Sequence, residues 1–190
     1  MAELPFQNLV LIGMRGAGKS TLGSFLARLS NFQFIDLDEI FAQRQGQAIP
    51  SFVAKFGWAK FRALESELIA EFAQKTGQVI ATGGGVVLDS NNIAKLKKTG
   101  LVILLKVPLV LLQKRVARDA NRPSLTGGDP AVELGQVWRA RKKLYLAAAD
   151  LQVDCATEAK DLTCKAQVIW QQIQDFSKRG KISKNSRQAG

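Results

Sequence analysis

Asn8-Leu9-Val10-Leu11-Ile12-Gly13-Met14-Arg15-Gly16-Ala17-Gly18-Lys19-Ser20 runs an apolar pentapeptide straight into a glycine-rich turn that ends in Lys-Ser. Gly13, Gly18, Lys19 and Ser20 fill every fixed position of the pattern G-x-x-x-x-G-K-[ST]. Leu22, Phe25, Leu26 and Leu29 then recur at helical spacing, which predicts a helix from Lys19 to about Leu29. Strand, glycine turn and helix in this order form an anion cradle. The glycines let several backbone N–H groups converge, and the helix presents the positive end of its dipole to the same point. Lys19 would reach the β- and γ-phosphates of a nucleotide, and Ser20 would set a hydroxyl on Mg²⁺. The cradle alone leaves open where the phosphate goes.

Working outward, strands and helices alternate. Strands are expected at Asn8 to Ile12, Gln33 to Asp36, Val79 to Ala81, Leu101 to Lys106 and Leu151 to Asp154. Helices are expected at Glu39 to Arg44, Pro50 to Phe56 and Trp58 to about Thr76, the last stopped by Gly77. More follow around Asn91 to Lys98, after Pro108, and from Asp161 to about Phe176; Arg118 to Pro130 reads as a mobile loop, and the helix after it reaches Ala148. Such alternation means an α/β fold: a parallel sheet covered on both faces, with ligands at the carboxyl ends of the strands. Neither an internal repeat nor a dividing linker is visible, so residues 1–178 are expected to form one domain.

Composition narrows the function classes. With 190 residues, 46% of them hydrophobic, the chain can bury one core. It lacks the roughly 18 uninterrupted apolar residues of a membrane span and the form of a signal peptide, so a cytoplasmic protein with no membrane partner is expected. Cys155 and Cys164 lack metal-ligand spacing and are expected as buried free thiols. The chain has no histidine, so acid–base work falls to carboxylates, lysines or water. The net charge of +11 raises nucleic-acid binding. Five basic residues (Lys178, Arg179, Lys181, Lys184, Arg187) fall in a polar terminal segment instead, and there is no aromatic platform for bases. No nucleic-acid partner is expected, and residues 179–190 read as a basic, flexible tail.

The remaining candidates gather at strand ends. Asp36 and Asp38 close the second strand; period-two alternation sends both carboxylates to one side if the extended form persists, where one could serve Mg²⁺ and the other a substrate hydroxyl. Either could equally be a helix cap. Gly83-Gly84-Gly85 strips every Cβ from the end of the third strand, either for a tight turn or for close approach of a ligand. Arg62 and Glu65 share a helix face, as a surface ion pair or as a held guanidinium for a substrate carboxylate. Arg122 in the loop and Arg115 one helix earlier could close over ATP, or simply solvate a loop.

The motifs GMRGAGKST, FIDLDEI, FVAKFGWAKFRALESE, VIATGGGVV, NRPSL and ARKKLY, in this order, make the chain resemble shikimate kinases, from about Asn8 to Asp154. The resemblance implies a five-stranded parallel sheet in the order 2-3-1-4-5 with a lid at about 118–131. It implies transfer of the γ-phosphoryl of ATP to the 3-hydroxyl of shikimate, in the route to chorismate and the aromatic amino acids. Under it, Gly16, Ala17, Gly18, Lys19, Ser20 and Thr21 bind the phosphates, Ser20 and Asp36 serve Mg²⁺, and Arg115 lies beside adenine. Asp38 meets the shikimate hydroxyls as candidate base, Arg62, Gly83, Gly84, Gly85 and Arg141 bind shikimate, and lid Arg122 reaches the transferring phosphate; a monomer is implied. The lid reads Arg-Pro-Ser-Leu where the family commonly has a second leucine, which predicts altered lid mobility. A gluconate kinase of the same fold would share the loop and lid without needing Arg62, the glycines and Arg141. A noncatalytic relative would have lost Lys19, Asp38 or Arg122, and all three are present.

Overall fold

The computed structural model describes residues 5–117, 130–156 and 162–185. Five parallel strands, β1 (Asn8–Ile12), β2 (Gln33–Asp36), β3 (Gln78–Ala81), β4 (Gly100–Lys106) and β5 (Leu151–Asp154), form one sheet in the order β2-β3-β1-β4-β5. Residues 9–12 of β1 and 101–105 of β4 are continuous apolar runs because both faces of these strands are covered, and the polar first residue of β1, Asn8, is buried with its side chain hydrogen-bonded. β1 is also where the order reverses, with β2 and β3 on one side and β4 and β5 on the other. A ligand crevice is expected at the carboxyl end of such a strand, and the glycine loop begins there.

The helices are α1 (Lys19–Ser30), α2 (Leu37–Gln45), α3 (Ile49–Phe72), α4 (Ser90–Thr99), α5 (Leu109–Ala117), α6 (Pro130–Ala148) and α7 (Leu162–Asn185). α1 packs with α7 and beneath β2 and β3, α4 packs on β4 and α3, and α5 pairs with α6. The two helices expected across Pro50 to Thr76 are the halves of α3, separated by a kink where Gly57 takes φ 81° and ψ 164°. A residue with a Cβ would resist that conformation.

Some boundaries differ from expectation for local reasons. α3 ends at Phe72, not near Thr76, and Gly77 instead forms the turn that feeds β3, its N–H bonding Gln7 and its carbonyl accepting from Gln33. α7 runs on to Asn185, through the segment expected to be a tail, and lysine and arginine there are good helix formers. Cys155 is a buried free thiol as expected, but Cys164 is exposed. It stands two positions before Ala166, on the far side of α7 from the buried stripe Ala166, Ile169 and Ile173. The Arg118–Asp129 loop lies outside the described residues.

Candidate active site

α1 opens without a side-chain cap. Gly18 takes the N-cap position in the left-handed region (φ 88°), so the first-turn N–H groups keep their bonding capacity for an anion. Gly13 and Gly16 also have positive φ, which is what lets the loop curl. Lys19 folds back over the loop, its Nζ donating to the carbonyls of Gly13 (3.0 Å) and Met14 (3.1 Å). From α5, Arg115 donates to the Gly16 carbonyl at 3.1 Å and so joins the loop from outside, while Thr21 stands exposed one residue beyond Ser20.

The cap reading of Asp36 is realised, with only one of its two carboxylate oxygens. One carboxylate oxygen, Oδ1, caps α2 by accepting from the N–H groups of Asp38 and Glu39, and the other, Oδ2, accepts from the Ser20 hydroxyl at 2.5 Å. Capping starts the helix at Leu37, so the extended form does not persist and strand alternation is not what relates Asp36 to Asp38. Instead Asp38 sits in the first turn of α2, where Lys19, Asp36, Glu65 and Arg62 all act on its charge. Asp38 is an exposed residue. Its carboxyl is nonetheless crowded by neighbouring atoms, and the water they displace, with repulsion from Asp36 and Glu65, outweighs Lys19 and Arg62 and raises its pKa to about 6.

On the opposite wall, Arg62 donates to Oε2 of Glu65 at 2.5 Å, and its guanidinium lies 5.3 Å from the Trp58 ring and 4.9 Å from Phe61. Glu65 is 7% exposed against 30% for Arg62, so this is a held guanidinium and not a solvated surface pair. The Oε1 atom of Glu65 is buried without a hydrogen-bond partner among the described residues. Crowding and not φ explains the glycines at 83 and 85, since none of the three is left-handed. A Cβ on Gly83 would sit 2.9 Å from both Asp38 Oδ1 and Glu65 Oε1, and one on Gly85 would run into the Arg62 guanidinium. Arg141, from α6, donates to the Gly84 carbonyl at 3.0 Å.

Thus the structure brings Lys19, Ser20, Asp36, Asp38, Arg62, Gly83 to Gly85, Arg115 and Arg141 to one end of the sheet; Arg122 lies outside the described residues. The model of the family described as Shikimate kinase matches residues 15–176. The chain belongs to the shikimate kinase family. It is 42% identical to the shikimate kinase of Aromatoleum aromaticum over 146 residues, covering 77% of this chain and 83% of that protein. With the Bordetella pertussis shikimate kinase it shares 40% over 164 residues, 84% of this chain and 78% of that one. A shikimate kinase from Acinetobacter baumannii, solved in complex with shikimate, superposes with TM-score 0.83 at 33% identity over 90% of this chain and 94% of that one. A gluconokinase from Sinorhizobium meliloti shares only the fold, with TM-score 0.52 at 15% identity over 94% of this chain and 98% of that one.

Sequence reasoning missed two contributors to this shikimate kinase-family site. Trp58 covers Arg62 from one helical turn away, and its i, i+4 spacing to Arg62 was the available signal. Tyr145 bonds the Gly84 carbonyl at 2.5 Å, and only its place one turn beyond Arg141 could have suggested this.

Proposed function

We propose that this chain transfers the γ-phosphoryl group of ATP to the 3-hydroxyl of shikimate, releasing ADP and shikimate 3-phosphate. The observation that carries this reading is Asp38, a carboxylate whose charge feels both Lys19 of the phosphate loop and the Glu65-held guanidinium of Arg62 on α3. Such a carboxylate is within electrostatic reach of both a phosphoryl donor and an acceptor-binding cation. Arg62 and Arg141 suit the acceptor's carboxylate, because a planar guanidinium matches it with two parallel hydrogen bonds.

Asp38 orients the 3-hydroxyl and accepts its proton while the new phosphorus–oxygen bond forms and the bond from phosphorus to the oxygen retained by ADP breaks. Phosphoryl transfer needs in-line placement and charge neutralisation more than covalent help, and Lys19 and the uncapped start of α1 supply positive charge on the donor side. In this reading Arg122 adds a lid cation and Arg115 lies beside adenine. The Ser20 hydroxyl and Asp36 carboxylate, paired at 2.5 Å, fit Mg²⁺, which favours oxygen donors and binds through few protein groups together with substrate phosphates and water. Mg²⁺, when bound, neutralises phosphate charge; Ser20 and Asp36 would hold it.

We take residues 1–178 as one kinase domain acting as a cytoplasmic monomer, with its lid at 118–131 and no nucleic-acid partner. Among the described residues no helix is long and apolar enough to cross a membrane. The test is ADP release with shikimate and with gluconate as acceptors. Turnover is expected with shikimate alone; turnover of gluconate but not shikimate would refute the acceptor assignment.

A further inference from the structure

Tyr145 is the single tyrosine of the chain and has no solvent exposure. A buried phenol needs a hydrogen-bond partner. Its hydroxyl donates to the Gly84 carbonyl at 2.5 Å, the same oxygen that accepts from Arg141 Nη1 at 3.0 Å. A carbonyl oxygen has two lone pairs, and these two donors occupy both.

Gly84 also lies beside the phosphate loop. A Cβ placed there would stand 3.4 Å from the Arg15 backbone nitrogen, 3.8 Å from the Gly13 carbonyl oxygen and 3.8 Å from the Tyr145 hydroxyl. The middle of the glycine wall is therefore a neighbour of both the loop and Tyr145. The Tyr145 ring is fixed in turn by stacking on Trp138, with centroids 6.2 Å apart and planes at 27°. Burial pushes the hydroxyl up to about 12 despite the opposing pull of Arg141 and Arg62, so it remains a donor across the working pH range.

We infer that Tyr145 is a positioning residue of the acceptor side, which by sharing the Gly84 carbonyl sets the direction of the Arg141 guanidinium and keeps the glycine wall in register with the phosphate loop. With one N–H engaged at Gly84, the guanidinium can rotate only about that contact, and its other donors are presented as a fixed fork. The inference rests on the proposed acceptor role of Arg141.

Tyr145→Phe keeps the ring and removes the shared bond. The shikimate KM is expected to rise about five- to tenfold, the worth of one hydrogen bond, while the ATP KM stays within about twofold. Arg141→Lys should raise the shikimate KM by itself, and adding Tyr145→Phe to it should then change that constant less than about twofold, because both act on one contact. Equal rises in both KM values, or the same factor in the Arg141→Lys background, would show a merely structural hydroxyl. A silent Tyr145→Phe beside an effective Arg141→Lys overturns the positioning role alone. A silent Arg141→Lys overturns the acceptor assignment beneath it.

Should Tyr145→Phe fail to fold, the unsubstituted chain carrying 3-fluorotyrosine reports the same contact through its one ¹⁹F resonance. That resonance should move on saturation with shikimate. A resonance that responds to ADP and not to shikimate sinks the inference.

Discussion

Asp38→Asn should make the ligand-free protein more stable while removing its activity. The Asp38 pKa rises from 3.8 to about 6 because the cleft strips water from the carboxylate, and this net value already includes the attraction of Lys19 and Arg62. Taken whole, the shift corresponds to about 3 kcal/mol against ionisation in the fold. Asp38 is an exposed residue, so solvent screens part of that, leaving on the order of 1–2 kcal/mol. The folded pKa lies above the unfolded one, so the folded chain holds the extra proton between them. The contribution of the protonated group is intact below about pH 4 and is lost as pH rises through 6. Asparagine carries no charge to strand. At pH 7.5 its melting temperature should exceed that of the unsubstituted protein by roughly 3–6 °C, and the gap should close by pH 4. Melting curves at both pH values, with EDTA and no nucleotide, measure this, and an ADP-release assay should show kcat lowered roughly 10²- to 10⁴-fold. A variant less stable at pH 7.5, or a gap that ignores pH, refutes the electrostatic account. Retained kcat would remove Asp38 from the chemistry.

Four other outcomes follow from the same geometry. The kcat/KM for shikimate should fall with unit slope below about pH 6, since the carboxylate is the active form, and an acid limb centred near pH 4 would contradict the raised Asp38 value. Arg62→Ala should raise the shikimate KM about 30- to 100-fold by removing a charge-assisted bidentate contact. It should also lower the melting temperature, because Glu65 is left buried without its partner at 2.5 Å; unchanged values in a titration and a melt would count against both. Gly85→Ala drives a methyl group into the Arg62 guanidinium and should raise the same KM at least about tenfold with the ATP KM held, as initial rates against each substrate would show. Gly100→Ala, far from the site, places a Cβ 2.8 Å from Val10 Cγ2 and 3.1 Å from the Leu96 carbonyl. It should cost about 1–3 kcal/mol in urea unfolding with the shikimate KM unaltered.

Much of the donor side is a local property and was legible as such. The curl of Gly13 to Ser20 and the uncapped helix start after it are built from their own backbone, so the types and spacing of consecutive residues specify the cradle before any tertiary contact forms. The strands were legible for a related reason, since a strand buried on both faces is apolar along most of its length, as residues 9–12 of β1 and 101–105 of β4 are. The acceptor side was read from motif order alone, because its members arrive from α2, α3, the turn after β3, and α6, and no local pattern makes them neighbours.

Sequence alone, then, determined the phosphate loop, the alternating elements and the identity of the charged residues near the strand ends, because short-range periodicity and backbone chemistry decide these. Tertiary structure decided that Asp36 caps α2 with one oxygen and takes the Ser20 hydroxyl on the other, and that Asp38 is strained by its surroundings. It also showed why glycines stand at 83 and 85: Asp38, Glu65 and Arg62 come so close that a Cβ would strike them. Burial, crowding and the sum of charges at a point depend on segments far apart in the chain, and they take values only once the sheet has brought those segments together.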